Sequence, residues 1–322
     1  MAPPSSPSSS DPGQPLVVLG MHRSGTSLLT ALCARLGLRL GERLLPARGD
    51  NPRGFWEHEE LVELNEGVFR LFGLNSQDVL PFPHGWLDHS GLPELRERLL
   101  EVLRRDLVGP GLWGVKDPRI GRLLPLWLGL FEALGATPRF VIPFRHPAEV
   151  ARSLVRRDYV SFERGVLLWL QYNLEIEHHT RPYRRLFTDF EQVLRAPVSL
   201  AHRIEGSLGI EFPKRPEAAT EELEAFVDPT LRHHDARRED TPLPAMAREA
   251  HAGLSRLAAG DTDAEAALDA LRADLWALLA PGAETLYALH PPAGIWRQTV
   301  EAKQREIETL REELQRHRRG SA

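Results

Sequence analysis

Cysteine is nearly absent from the chain. Cys33 is the single one in 322 residues, so no disulfide can form within the protein, and a reducing compartment is the simplest setting. Cys33 lies in the helical apolar pattern of residues 28–33 and reads as a small core residue. Long apolar runs are missing as well; none approaches the ~20 residues that span a bilayer. A strong excess of one charge is also missing. Forty-five acidic residues against 40 basic ones leave a formal net charge of −5. Bulk electrostatics therefore favours neither nucleic acid nor an acidic membrane, and any basic site must be local. The opening MAPPSSPSSSDPGQP has no basic n-region and no apolar h-region, so it is not a secretory signal. Its Pro/Ser content cannot bury a core, and residues 1–15 are expected to form a disordered leader. These absences point to a cytoplasmic protein.

What is present is an ordinary globular composition, with 42% hydrophobic residues arguing against wholesale disorder. Leu16 to Leu19 reads as a short buried strand, followed by a glycine loop and a helix to about Leu36. A helix is expected from Glu59 to Phe72. Residues 74–92, rich in Pro, Gly and His, read as a surface excursion, and residues 93–107 as an amphipathic helix. Three further strands are expected at Leu112–Val115, Arg139–Phe144 and Arg185–Thr188, each followed by helix. This alternation predicts an α/β fold with a mostly parallel central sheet, and with the glycine loop after the first strand it reads as P-loop NTPase-like and three-layered. Its domain would run over 16–290. In residues 291–322, Trp296, Val300, Lys303, Ile307, Leu310 and Leu314 follow a 4-3-4-3-4 spacing. That spacing suits a short coiled coil, and hence a homodimer, or one amphipathic helix docked on its own domain.

The charged motifs sit just after the first three strands, where open α/β sheets place their ligand crevice. The first is Gly20-Met21-His22-Arg23-Ser24-Gly25-Thr26-Ser27. A strand, a glycine loop and a helix present backbone N–H groups to an anion. Ser24, Thr26 and Ser27 add hydroxyls, Gly25 the tight turn, and Arg23 a guanidinium whose fork suits phosphate or sulfonate. Thr26 stands where a nucleotide triphosphatase needs its lysine, which disfavours ordinary ATP chemistry. The second is Lys116-Asp117-Pro118-Arg119, and the third Arg145-His146-Pro147 with Ser153 eight residues beyond Arg145. A strand-end arginine and a hydroxyl in the next helix can converge on one dianion. Glu57, beside Phe55 and Trp56, is a candidate base, because apolar neighbours raise a carboxylate pKa. Glu42 is its rival.

The first loop resembles the 5′-phosphosulfate loop of sulfotransferases that use 3′-phosphoadenosine 5′-phosphosulfate (PAPS). Its Arg-Ser-Gly-Thr form is similar to that of tyrosylprotein sulfotransferases and of many bacterial members. The resemblance covers roughly Leu16 to Ile210. It implies that Arg23, Ser24, Gly25, Thr26 and Ser27 bind the 5′ end of PAPS, and that Arg145 and Ser153 hold its 3′-phosphate. It puts Lys116 near the transferring sulfonate. Strings similar to Asn51-Pro52-Arg53-Gly54-Phe55-Trp56-Glu57 recur in bacterial sulfotransferase-like proteins. The chain lacks the Arg-Lys-Gly motif of the cytosolic branch and has Phe190-Glu191-Gln192-Val193 where a Tyr-Glu-Asp-Leu-like string is common. The implied function is transfer of a sulfonate to a hydroxyl or amine of a small-molecule, carbohydrate or peptide acceptor. Catalysis would fall to Glu57, Lys116 and Arg23, with no metal required. Two other readings stand beside it. One is a Mg²⁺-dependent P-loop kinase or NTPase using Asp117; the other is a scaffold with a degenerate site. The pairs His178-His179 and His233-His234 do not read as metal sites, because adjacent helical residues point about 100° apart.

Overall fold

A computed structural model of the chain describes residues 11–47, 54–226 and 242–289. β1 (Gln14–Val18) leads through the glycine loop into α1 (Thr26–Arg35). α2 (Glu59–Leu71) and α3 (Leu92–Asp106) precede β2 (Leu112–Lys116), α4 (Ile120–Ala133) and β3 (Arg139–Phe144). α5 (Pro147–Asp158) and α6 (Phe162–Thr180) connect to β4 (Arg185–Asp189). There follow α7 (Phe190–Arg195), α8 (Pro197–Leu208), α9 (Thr220–Phe226), α10 (Ala245–Ala258) and α11 (Ala264–Leu289).

The four strands lie in the order β2-β1-β3-β4, and every neighbouring pair is parallel. Val18 stands level with Lys116 on one side and Val141 on the other. Period-two alternation sends Leu16 and Val18 to one face, against Leu29, Leu32 and Ile204. Val17 and Leu19 go to the other, against Trp113, Trp127 and Trp169. Helices therefore cover both faces, giving the expected three layers, and buried parallel strands read as continuous apolar runs for this reason. Because the order reverses beside β1, the loops after β1 and β3 leave the sheet on opposite sides of one crevice.

Two expectations need adjustment. β1 starts at Gln14 rather than Leu16, because Gln14 N–H donates to the Gly111 carbonyl at 2.8 Å and extends the pairing with β2. Segment 74–92 is not a surface excursion. Leu74, Phe82 and Leu92 are buried in it, Phe82 stacks on Trp86 at 4.6 Å, and Arg122 donates to the Asp78 and Leu80 carbonyls. α4 continues through Pro125. The proposed coiled coil, most of the proposed leader and the His233-His234 pair lie outside the described residues. Among the described residues, no helix is long and apolar enough to cross a membrane.

α5 and α6 cross where Gly165 meets Ala151. A Cβ at 165 would lie 2.9 Å from the Ala151 Cα, a backbone atom that cannot step aside. Gly165→Ala is expected to destabilise the protein by about 1–3 kcal/mol through overpacking. Gly129→Ala, in α4 with open space around it, should instead stabilise by about 0.5–1 kcal/mol. Urea denaturation of both variants checks the pair; equal effects would show that the α5–α6 approach is not tight.

Candidate functional site

The loop after β1 is shaped by two left-handed residues. Arg23 has φ 68° and Gly25 has φ 93°. Glycine is required at 25 for a second reason: a Cβ there would lie 2.3 Å from Cδ2 of Phe190. Arg23 bears strain of about 1–3 kcal/mol, and Trp56, at φ 60° beside Glu57, does the same. Gly25 caps α1 with no side-chain hydrogen bond, and no acidic residue occupies the first turn. The helix N-terminus thus keeps its partial positive charge for an anion. Ser24 is fully buried and its Oγ has no hydrogen-bond partner among the described residues. Thr26 is buried too, with its methyl turned toward Gly20.

Proline sets the other two turns. His146 is extended (ψ 130°) as a residue before proline must be, and Pro147 opens α5 where no N–H is needed. This delivers Arg145 and Ser153 to the loop. The Nε of Arg23 donates to Ser153 Oγ at 2.8 Å. The Arg145 guanidinium lies 4.6 Å from the centre of the Phe190 ring, whose edge abuts Gly25. Glu149 accepts from Arg145 Nε, and the Arg145 carbonyl accepts from Trp169 Nε1 at 2.9 Å. After β2, Asp117 Oδ1 accepts from the Arg119 N–H at 2.9 Å, a side-chain turn around Pro118.

Lys116 is 2% exposed. Its Nζ donates to Glu57 Oε1, to the Phe55 carbonyl at 2.9 Å and to Ser27 Oγ at 3.3 Å, which uses all three protons. Arg119 Nη1 donates to Glu57 Oε2 at 3.2 Å and to Asp117 Oδ1 at 2.9 Å, and its Nε to Glu66 at 2.5 Å. Asp117 Oδ2 accepts from Asn65 at 2.8 Å. Burial pushes the Glu57 carboxyl above its ordinary range, opposed mainly by Lys116. His22 is held neutral: burial pushes its pKa well down, assisted by the positive charges of Arg119, Arg157, Lys116 and Arg23. Its Nε2 is buried without a partner among the described residues.

No protein-family model matches the chain, and no curated protein does. Several solved structures are similar to it. One is described as the sulfotransferase domain of an olefin synthase from Synechococcus PCC 7002, at 19% identity and TM-score 0.44, covering 79% of this chain and 98% of that one. Another is the sulfotransferase domain of a curacin biosynthetic pathway, at 16% identity and TM-score 0.42, with 76% and 98% covered. A third is a sulfotransferase from Mycobacterium tuberculosis, at 12% identity and TM-score 0.40, with 75% and 77% covered. The reading below rests on this chain's own geometry.

That geometry gathers Arg23, Gly25, Ser27, Glu57, Lys116, Arg145 and Ser153, from motifs up to 130 positions apart, at one edge of the sheet. Glu42 is exposed and lies outside the Lys116 network. Both Asp117 oxygens are engaged by protein donors, which does not suit a magnesium ligand. Among the described residues no group of three or more His, Cys, Asp or Glu is arranged to hold a metal ion. His178 and His179 part company, one toward Asp269 at 3.2 Å and the other toward Glu175 at 3.1 Å. Sequence reasoning gave no role to His22, Phe190 or Glu149. His22 stood inside the quoted loop, and only its cationic surroundings mark it.

The Glu57–Lys116 pair is open to a direct test. Glu57→Ala leaves a buried ammonium without its counter-charge and is expected to cost about 3–5 kcal/mol. The double variant Glu57→Ala/Lys116→Met should recover much of that loss in urea denaturation. A double variant as unstable as the sum of the singles would mean the pair is not coupled.

Proposed function

We propose that the protein is a sulfotransferase that takes its sulfonate from PAPS and releases 3′,5′-ADP. The observation that carries this reading is the junction of Arg23 with Ser153 at 2.8 Å, beside a Phe190 ring shared by Gly25 and Arg145. A nucleotide anchored there meets two cationic grips from different strands. That suits a ligand with two separated anionic groups better than a linear triphosphate.

The residues present fit such a donor. The bare α1 N-terminus, the unpartnered Ser24 hydroxyl and Arg23 would hold the 5′-phosphosulfate. Arg145, braced by Glu149, and Ser153 would hold the 3′-phosphate. Phe190 keeps the glycine turn open to the anion by occupying the space on its other side. When bound, PAPS supplies the sulfonate: its bond from sulfur to the 5′-phosphate oxygen breaks as a bond from sulfur to the acceptor oxygen or nitrogen forms. Lys116, adjoining Ser27 through its longest contact, can exchange that contact for a sulfonate oxygen without uncovering Glu57. Preorganised cations of this kind stabilise charge on the leaving oxygens.

Glu57 is the proposed base for the acceptor's proton, its affinity for protons raised by burial. One observation favours His22 as a second reading. Both Glu57 oxygens face cations, whereas His22 is neutral with an unpartnered Nε2. The cytoplasm remains the expected setting, and acceptor classes stay as broad as the sequence left them.

Calorimetry tests the donor assignment. The protein should bind 3′,5′-ADP without metal, and more tightly than ADP or ATP with or without Mg²⁺. Arg145→Ala should weaken 3′,5′-ADP by about 10- to 100-fold, as expected for a charged hydrogen-bonding group, while 5′-AMP changes little. Equal weakening of both ligands would remove Arg145 from the 3′-phosphate. Tight ATP binding that requires Mg²⁺ would replace the whole reading with a kinase or NTPase.

A further inference from the structure

A cavity of about 380 Å³ opens between α4, α6, α11 and segment 81–86. None of Arg23, Glu57, Lys116, Arg145 or Ser153 lines it. Its volume is that of a small-molecule site. Aromatic rings form much of the wall: Phe82 stacked on Trp86, with Trp276 and Tyr287 from α11. The charges of the lining are balanced, since Arg122 and Arg272 accompany Glu175 and Glu284. Most of them are also spent. Arg122 donates to the Asp78 and Leu80 carbonyls and lies over the Phe82 ring at 5.5 Å. Glu175 accepts from Arg272 at 2.9 Å and Trp276 at 2.5 Å, and pairs with His179 at 3.1 Å. Despite its burial, these partners hold its carboxyl down at about 2. The Tyr287 hydroxyl donates to the Pro81 carbonyl at 3.0 Å.

Gln171 differs from these. It is 5% exposed, it lines the cavity, and its Oε1 has no hydrogen-bond partner among the described residues. As placed, that oxygen is closed to solvent; a ligand donor reaches it only with the amide turned end for end, and then recovers the about 1–3 kcal/mol that an unpaired buried amide oxygen costs. Balanced walls disfavour a strongly charged ligand, since its charge would lose water without gaining a counter-ion. Stacked aromatic walls favour a flat apolar body. A hydroxyl can both donate and accept, so it serves Gln171 whichever way the amide is turned. We infer that this cavity is a second binding site, for a neutral planar aromatic molecule carrying a hydroxyl group. The site lies on a different face of α6 from the sulfonate chemistry. Tyr172, next to Gln171, is fully buried and meets His22 edge-on at 6.0 Å.

Naphthol is a suitable probe, with methylnaphthalene as the partner lacking a hydroxyl. Calorimetry on the full chain should show both binding, naphthol more tightly. Gln171→Leu should weaken naphthol about 5- to 10-fold, the size of one hydrogen bond, and leave methylnaphthalene within about twofold. Ala280→Trp fills the cavity from a half-buried position and should abolish binding of both. The double variant Glu57→Ala/Lys116→Met, which removes the buried pair together, should change neither. Hydrogen exchange on the unaltered chain gives an independent reading: naphthol should slow exchange across residues 276–287 and not across 20–27. The inference is overturned by absence of binding up to the solubility limit, by binding that survives Ala280→Trp, by loss of binding in Glu57→Ala/Lys116→Met, or by protection confined to 20–27. The last two would put the phenol in the reaction centre and leave the proposed sulfotransferase activity standing.

Discussion

Phe190 occupies the volume that a side chain at residue 25 would need, and the Arg145 guanidinium lies against its ring. One aromatic side chain therefore sets the distance between the glycine turn and the strand-end arginine. The contact depends on the sheet. β4 ends at Asp189, whose side chain accepts from the Glu191 N–H and starts α7 with Phe190 as its first residue. β3 lies between β4 and β1, so the first residue after β4 can reach over Arg145 to the loop after β1. Parallel pairing puts all these strand ends on one edge. A reversed strand would move one partner to the far side of the molecule.

The same edge concentrates cations, and the fold compensates them unequally. Lys116 and Arg119 are enclosed by Glu57, Glu66 and Asp117, a nearly dry network in which each carboxylate has named donors. Networks of that kind hold geometry more than they add stability, since desolvation offsets much of their Coulomb energy. Around His22 the balance tips the other way: burial lowers the imidazole's affinity for a proton, and the positive charges of Arg119, Arg157, Lys116 and Arg23 lower it further. A fixed cluster of carboxylates under Lys116, and a positive field around His22 and Arg23, divide the site into a rigid floor and an anion-seeking mouth.

Much of this was legible in the sequence, for local reasons. β3 matches its expected bounds because an apolar run ends at Arg145-His146-Pro147, where proline chemistry leaves little choice. The charged motifs were found because parallel strands end in short, polar turns. What was not legible came from distant contacts. The start of β1 is fixed by the Gly111 carbonyl about a hundred positions away. Segment 74–92 looks like surface by composition, yet Arg122 and a cluster of aromatic rings draw it inward. Phe190 and His22 stood inside quoted strings, but nothing in those strings gave either a role. Their importance is created by what the fold packs beside them.

The missing loop lysine can now be placed in physical terms. A lysine in a triphosphate loop supplies its charge from within the loop, close to the helix axis. Here Thr26 fills that position and turns its methyl toward Gly20, closing the junction of strand and helix. The positive charge comes from outside the helix: Arg23 on the strained turn, Lys116 from β2, Arg145 from β3. Charges supplied by neighbouring strands are spread along the sheet edge instead of being stacked on one axis. A compact row of phosphates would reach only some of them. A ligand whose anionic groups sit at both ends of a nucleoside would engage them together. Under the proposed function, Thr26 and Arg145 express one constraint, the spacing of charge on the ligand.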